Sequence, residues 1–274
     1  MSKEYNVLIV GYGVVGKNLS KELAALYPDI NDNHELKNYS GISYSVLDCV
    51  GAYPPECYDV AFICVDTPAD DDKKLDISQV ETAISENEAN IYVIKSTLPL
   101  DGIKRLHNRF PHKDIIYSPE YYGATQHCNN VVFDFTILGG NRDTCHKVQQ
   151  ILQNCYDARH TFHITDSYTA ALSKLMENAW LATVVSFCTQ MFEICQDYGI
   201  NYEELRELFI LDPRVNPSHT FVYENHPYWD SLCLNKDVNY LATWADAQFL
   251  QGVVKFNDEQ KKKYGGSCNN DSEN

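Results

Sequence analysis

Three glycines carry the most direct chemical signal in this chain: Gly11-Tyr12-Gly13-Val14-Val15-Gly16 is a Gly-x-Gly-x-x-Gly turn. Such a turn between a strand and a helix cradles the pyrophosphate of a dinucleotide. Its first glycine permits the tight turn, the second lets the backbone approach the phosphates, and the third lets helix and strand pack closely. The helix N-terminus, with Val14 and Val15 in its first turn, attracts the negative charge. An acid for the ribose hydroxyls is expected about 20 residues further on. Asp32 has that spacing and is the first choice, whereas Asp48 ends the better strand, at 42–47. Neither segment places an arginine for a 2′-phosphate, which favours NAD over NADP.

Two other groupings could do chemistry. Lys174 and Asn178 are four apart in an apolar helical stretch, so one helix face presents an ammonium and an amide, donors suited to a developing oxyanion. Glu120 follows Ser118-Pro119 at the end of a short apolar run, where ligand-facing groups collect in open α/β sheets. Singly, each has a plainer reading, as a solvated helix face or a turn acid.

Positioning these groups requires a scaffold. Apolar runs at 5–10, 60–65, 91–94, 115–117 and 135–138 alternate with helix-compatible segments at 14–26, 77–88 and 142–156. That alternation predicts an α/β fold, a doubly wound parallel sheet of Rossmann type over residues 1–165. The pattern then changes to one long apolar helix over 170–198, closed by Gly199. It predicts a smaller all-helical domain over 166–256 and, from its apolar girth, a homodimer formed through that helix. Residues 257–274 are polar and read as a flexible tail.

Composition narrows the classes further. The 274 residues carry a formal net charge of −16 and are 44% hydrophobic, enough for a real core and wrong in sign for nucleic acid. Ten cysteines are scattered without a Cys-x-x-Cys pair, which argues for reduced thiols with no disulfide and no metal. The first apolar run is too short for a signal peptide or membrane span, so a cytoplasmic protein without membrane attachment is expected.

The stretches Val65-Asp66-Thr67-Pro68, Lys95-Ser96-Thr97-Leu98-Pro99, Ser118-Pro119-Glu120, the Lys174 and Asn178 pair, Asp212-Pro213-Arg214 and Cys233-Leu234-Asn235-Lys236-Asp237 follow in that order. Together with the glycine turn they resemble the UDP-glucose/GDP-mannose dehydrogenase family over residues 5–245. The resemblance implies oxidation of a nucleotide-sugar C6 alcohol to a carboxylate, with two NAD and a covalent cysteine intermediate. UDP-glucose is the first expectation for the substrate.

By that resemblance Cys233 is the nucleophile, although composition alone would make it one more core cysteine. Lys174 and Asn178 take the oxyanion role. Asp237 works with Lys174 and a water on the first deprotonation, Thr97 orients that water, and Glu120 directs water onto the thioester. Thr67, Thr97 and Lys236 touch NAD. Glu120, Lys174 and Asn178 contact the substrate, as does Arg214, which in family dimers reaches it from the neighbouring subunit.

Departures from the family pattern are also visible. Leu234 replaces an aromatic after the cysteine, and His226-Pro227-Tyr228-Trp229-Asp230-Ser231-Leu232 stands where a glycine-rich loop is usual. Ala124, Ala171 and Thr189-Gln190 replace an acid, an acid and an Asn-Glu pair. The family's third, nucleotide-sugar-binding domain has no counterpart, which suggests a compact, phage-like or accessory version with a looser substrate site. Two alternatives follow: a dehydrogenase for another sugar, or an NAD-binding interaction protein without turnover.

Overall fold

The computed structural model describes residues 5–24, 26–28, 36–38, 42–47, 57–122 and 133–265. The chain divides into two compact units, Met1–Pro68 with Leu75–Lys174, and Ala69–Lys74 with Leu175–Asn274.

The first unit begins with β1 (Tyr5–Val10), α1 (Val14–Ala24) and a small antiparallel pair, β2 (Leu26–Pro28) and β3 (Leu36–Asn38). It continues through β4 (Ile42–Leu47), β5 (Tyr58–Ile63), α2 (Ser78–Glu86), β6 (Ala89–Ile94), α3 (Leu100–Arg109) and β7 (Asp114–Tyr117). Then come β8 (Phe135–Gly139), α4 (Arg142–Leu152) and β9 (Thr161–Thr165). Seven strands form one sheet in the order β4-β1-β5-β6-β7-β8-β9, parallel throughout except where Tyr117 of β7 meets Gly139 of β8 antiparallel.

The central strands are unbroken apolar runs because both faces of the sheet are covered. Alternate residues go to opposite faces: Leu8, Val10, Ala61 and Ile63 pack with Val80 and Ile84 of α2 and Ile103 and Leu106 of α3. Val7, Ile9, Val60 and Phe62 pack with Leu19 and Leu23 of α1 and Val148 and Ile151 of α4. This is the doubly wound sheet expected from the sequence. From β1 the chain crosses to β4 on one side, then returns to place β5 on the other, so the carboxyl ends of β1 and β5 flank the point where a ligand binds in such sheets.

The sequence pattern did not reveal α3 or β9. α3 is mostly polar and buries only Gly102, Ile103 and Leu106, and β9 is an edge strand without a fully buried residue.

The helix α5 (Ser167–Tyr198) spans 32 residues and starts on Asp166, whose carboxylate accepts from the Thr169 N–H at 2.9 Å and the Thr169 hydroxyl at 2.6 Å. It ends at Gly199, where φ is +66° and a side chain would be strained. The units divide inside this helix, at Lys174, instead of near residue 166, because Ala170 and Ala171 belong to the sheet's core.

Beyond it the second unit holds α6 (Tyr202–Phe209), α7 (Leu232–Trp244) and α8 (Gln248–Tyr264). α8 corrects the expected tail: residues 257–264 are helical, with Val253, Asn257 and Gln260 buried at helical spacing. Two of those three are polar, so an argument from apolar content overlooks them. Ala182, Trp229, Leu234, Val238 and Val253 form the unit's apolar cluster. Among the described residues no helix is long and apolar enough to cross a membrane.

Candidate functional site

At the glycine turn, the chain's own packing explains two of the three glycines. Gly11 has φ +92°, and a Cβ there would lie 2.6 Å from the Cys64 carbonyl oxygen; at Gly16 it would lie 2.1 Å from that of Gly11. A Cβ on Gly13 would meet nothing within 4 Å. Space is thus kept beside Gly13, at the N-terminus of α1, for a group from outside the chain, which is what a diphosphate requires. Val14 is exposed beside this opening. The Gly11 N–H donates to the Leu47 carbonyl at 2.7 Å, so β4 ends against the turn. Asp32 and Asp48 lie outside the described residues, as does Ala124.

The loops after β5 and β6 are stitched together beside this turn. The buried Thr67 hydroxyl donates to the Thr97 carbonyl at 2.9 Å, and the Ser96 hydroxyl to the Val65 carbonyl at 2.6 Å. The next residue back, Lys95, reaches Glu120: its Nζ lies 3.1 Å from Glu120 Oε2, with only 5% and 13% of the two side chains exposed. Glu120 Oε1 accepts the Tyr121 N–H at 2.9 Å. Glu22, on α1, accepts from the hydroxyls of Tyr122 and Tyr156, both at 2.6 Å.

This cluster sets unusual proton affinities. Burial raises the Glu22 carboxyl above the ordinary glutamate range, against the opposing pull of Lys95. Burial acts to lower Lys95, yet Glu120 and Glu22 outweigh it and hold the ammonium more firmly protonated than usual. Burial pushes the nearby Cys64 thiol up to about 12, which makes it inert as a nucleophile. Glu22, Tyr122 and Tyr156 are partners that the sequence did not single out, and Lys95 stood in the Lys95-Ser96-Thr97-Leu98-Pro99 motif without a role of its own.

Lys174 is also buried, its ammonium 4.8 Å from the centroid of the Tyr121 ring. Such a ring face stabilises a cation withdrawn from water.

In the second unit, Asp237 is fully buried. Its Oδ2 accepts from Asn178 Nδ2 at 2.6 Å and its Oδ1 from Lys236 Nζ at 2.8 Å. A carboxylate so deep in an apolar helical unit needs both partners to remain there. Cys233 stands one turn before Asp237 on the same face of α7. It is exposed in the helix's first turn, which Ser231 caps by accepting the Leu234 N–H at 3.2 Å. Cys188 and Cys195 of the same unit are buried, and burial raises the Cys188 thiol. Arg214 is exposed and paired with Asp212 at 2.5 Å. The expected residues thus meet as Asn178, Lys236 and Asp237, with Cys233 on the same helix, and as Thr67 with Thr97; Lys236 points its ammonium at Asp237.

Residues 49–159 match the NAD binding domain of the UDP-glucose/GDP-mannose dehydrogenase family, and residues 168–259 match its central domain. The chain belongs to this family. NAD is accordingly its cofactor, and the open space at Gly13 fits the diphosphate.

Family relatives include the UDP-N-acetyl-D-mannosamine dehydrogenase of Methanococcus vannielii, 26% identical over 213 residues that cover 73% of this chain and 48% of that protein. The UDP-glucose 6-dehydrogenase of Rickettsia bellii is 26% identical over 218 residues, 74% of this chain and 50% of that protein. The chain therefore spans about half the length of the curated relatives it matches. Among solved structures, a UDP-glucose dehydrogenase from Pyrobaculum islandicum superposes with a TM-score of 0.70 at 16% identity, over 95% of this chain and 69% of that one. A UDP-D-ManNAc dehydrogenase from Pyrococcus horikoshii gives 0.71 at 19% identity, over 95% and 70%. At these identities the likeness is one of fold.

Proposed function

We propose that this chain is an NAD-dependent dehydrogenase that oxidises the C6 alcohol of a nucleotide sugar to the carboxylate through a thioester on Cys233, with UDP-glucose as the first substrate to test. The observation that carries this reading is Asp237, fully buried between Asn178 and Lys236 one turn along α7 from an exposed cysteine. An apolar helical unit gains no stability from such a carboxylate that apolar packing would not provide, so chemistry is the reason to keep it.

NAD supplies the hydride acceptor. Asp237, with Lys174, holds the water that takes the C6 hydroxyl proton, and Thr97 orients it. With one hydride gone, the Cys233 sulfur bonds to the aldehyde carbon. The oxygen that becomes negative is met by the Lys174 ammonium and the Asn178 amide, whose nitrogen has two N–H donors, of which Asp237 takes one. Loss of the second hydride leaves the thioester. Glu120, held by Lys95, takes a proton from the water that breaks the carbon–sulfur bond and restores the thiol. One alcohol, one water and two NAD⁺ thus give one carboxylate, two NADH and three protons.

For the ribose hydroxyls we favour Asp48 over Asp32, since it directly follows the strand whose last carbonyl accepts the Gly11 N–H. Arg214 would serve the substrate of a neighbouring subunit after releasing Asp212. The exposed stripe Met176, Trp180, Phe187, Ile194 and Tyr198 along α5 supports a homodimer. The seven described cysteines, none of them in a disulfide, suit a reducing compartment such as the cytoplasm.

The test follows NADH absorbance with UDP-, GDP- and TDP-sugars, comparing wild type with Cys233→Ser and counting NADH per product. Two NADH per uronate, lost in the variant, is the expected result. NAD binding without NADH from any sugar would leave a cofactor-binding protein.

A further inference from the structure

The seven residues before α7 lack glycine, yet they reach the first turn of that helix in a defined path, and α8 supplies the reason. Asn257 of α8 is buried and grips the Trp229 backbone from both sides: its Oδ1 accepts the Trp229 N–H and its Nδ2 donates to the Trp229 carbonyl, each at 3.0 Å. The Trp229 indole N–H donates to Ser186 at 3.0 Å, and the ring packs in the unit's apolar cluster.

One turn further along α8, Lys261 lies 2.6 Å from Asp230 and donates to Asn235 Oδ1 at 2.9 Å, while Asn235 Nδ2 donates to Asp230 at 3.0 Å. The three side chains form a closed ring that brackets residues 231–234. Ser231, the cap, and Cys233 are inside the bracket. Because Asp230 and Asn235 stand on opposite sides of Cys233 in sequence, a single cation fixes both ends of the turn that carries the thiol.

We infer that α8 positions the Cys233 thiol through Asn257 and Lys261, so that two polar residues of this helix are positioning residues for the covalent step. The inference rests on the proposed role of Cys233. Both act through the backbone of the loop and the first turn of α7: a thiol held in the first turn of a helix lies at the positive end of its dipole, which favours the thiolate, as does a nearby cation. Among the described residues, the titratable and charged groups along this turn include Asp230 and His226 in the loop, Lys236 and Asp237 on α7, and Lys261 on α8.

The experiment measures the rate of Cys233 alkylation by iodoacetamide against pH in the full chain, with the modified peptide identified by mass spectrometry. Lys261→Met should move the midpoint up by about half a pH unit, roughly threefold less thiolate at neutral pH, and Lys261→Arg should restore it. Asn257→Ala should shift it in the same direction, with partial recovery in Asn257→Asp, which keeps the acceptor for the Trp229 N–H. Should Asn257→Ala fail to fold, judged by circular dichroism, the Lys261 pair decides alone. A wild-type profile in Lys261→Met, or no recovery in Lys261→Arg, overturns the inference. If wild-type Cys233 reacts no faster than the exposed Cys57, the nucleophile assignment falls, while the shift between wild type and Lys261→Met still decides the role of α8.

Discussion

Asn178 on α5 and Asp237 on α7, 59 residues apart in sequence, share a 2.6 Å hydrogen bond in which the amide donates to a carboxylate with no exposed surface. The bond ties the two helices that carry the proposed oxyanion donor and the cysteine, so the same contact serves stability and chemistry. Asn178→Ala should destabilise the chain by about 2 kcal/mol, the cost of leaving a buried charged acceptor short of a partner. It should also slow NADH formation about a hundredfold, the scale for one lost oxyanion donor. Urea unfolding and steady-state kinetics read the two effects separately.

The Lys95–Glu120 pair should respond differently to removal of one partner and of both. Lys95→Met leaves Glu120 and Glu22 as largely buried acids without their cation and should cost about 3 kcal/mol. Lys95→Met combined with Glu120→Gln should recover much of that, since no unpaired Glu120 charge remains. A double-mutant cycle in urea checks this; strictly additive losses would contradict it.

Glu22→Gln is expected to stabilise the chain in a pH-dependent way. The carboxyl's affinity for its proton is raised in the fold, so the folded state binds more protons than the unfolded state between the ordinary glutamate range and the raised value. Stability owed to this group is therefore complete in acid and lost as pH rises through the folded value. The variant should match wild type in acid and exceed it at neutral pH. Urea midpoints across that range decide it, and a gap that does not widen with pH would count against the assignment.

The glycine turn predicts a clean separation of folding from cofactor binding. Gly13→Ala adds a methyl group where nothing lies within 4 Å, so the melting temperature should hold while NAD binds at least about tenfold more weakly. Gly16→Ala drives a methyl to 2.1 Å from the Gly11 carbonyl and should cost about 2 kcal/mol or more in stability. Calorimetric titration with NAD, together with thermal melts of both variants, gives the comparison.

The sequence alone determined the alternation of buried strands and helices in the first unit, the glycine turn, the long α5 and the order of the chemical motifs. These are local signals: period-two and period-3.6 burial, or glycines at a fixed short spacing between a strand and a helix. Even the ending of β4 at Leu47 was legible, as a strand over 42–47. What stayed hidden was carried by polar residues buried through partners remote in sequence. Lys95 meets Glu120 across 25 positions, Tyr156 reaches Glu22 across 134, and Asn257 holds Trp229 across 28, which turned an expected tail into part of a helix. Hydropathy scores such residues as surface because it counts the cost of withdrawing them from water and not the hydrogen bond that offsets it. Only the tertiary structure brings the two members of each pair together, and so only it decided which charges are buried and which cysteine is exposed on a capped helix turn.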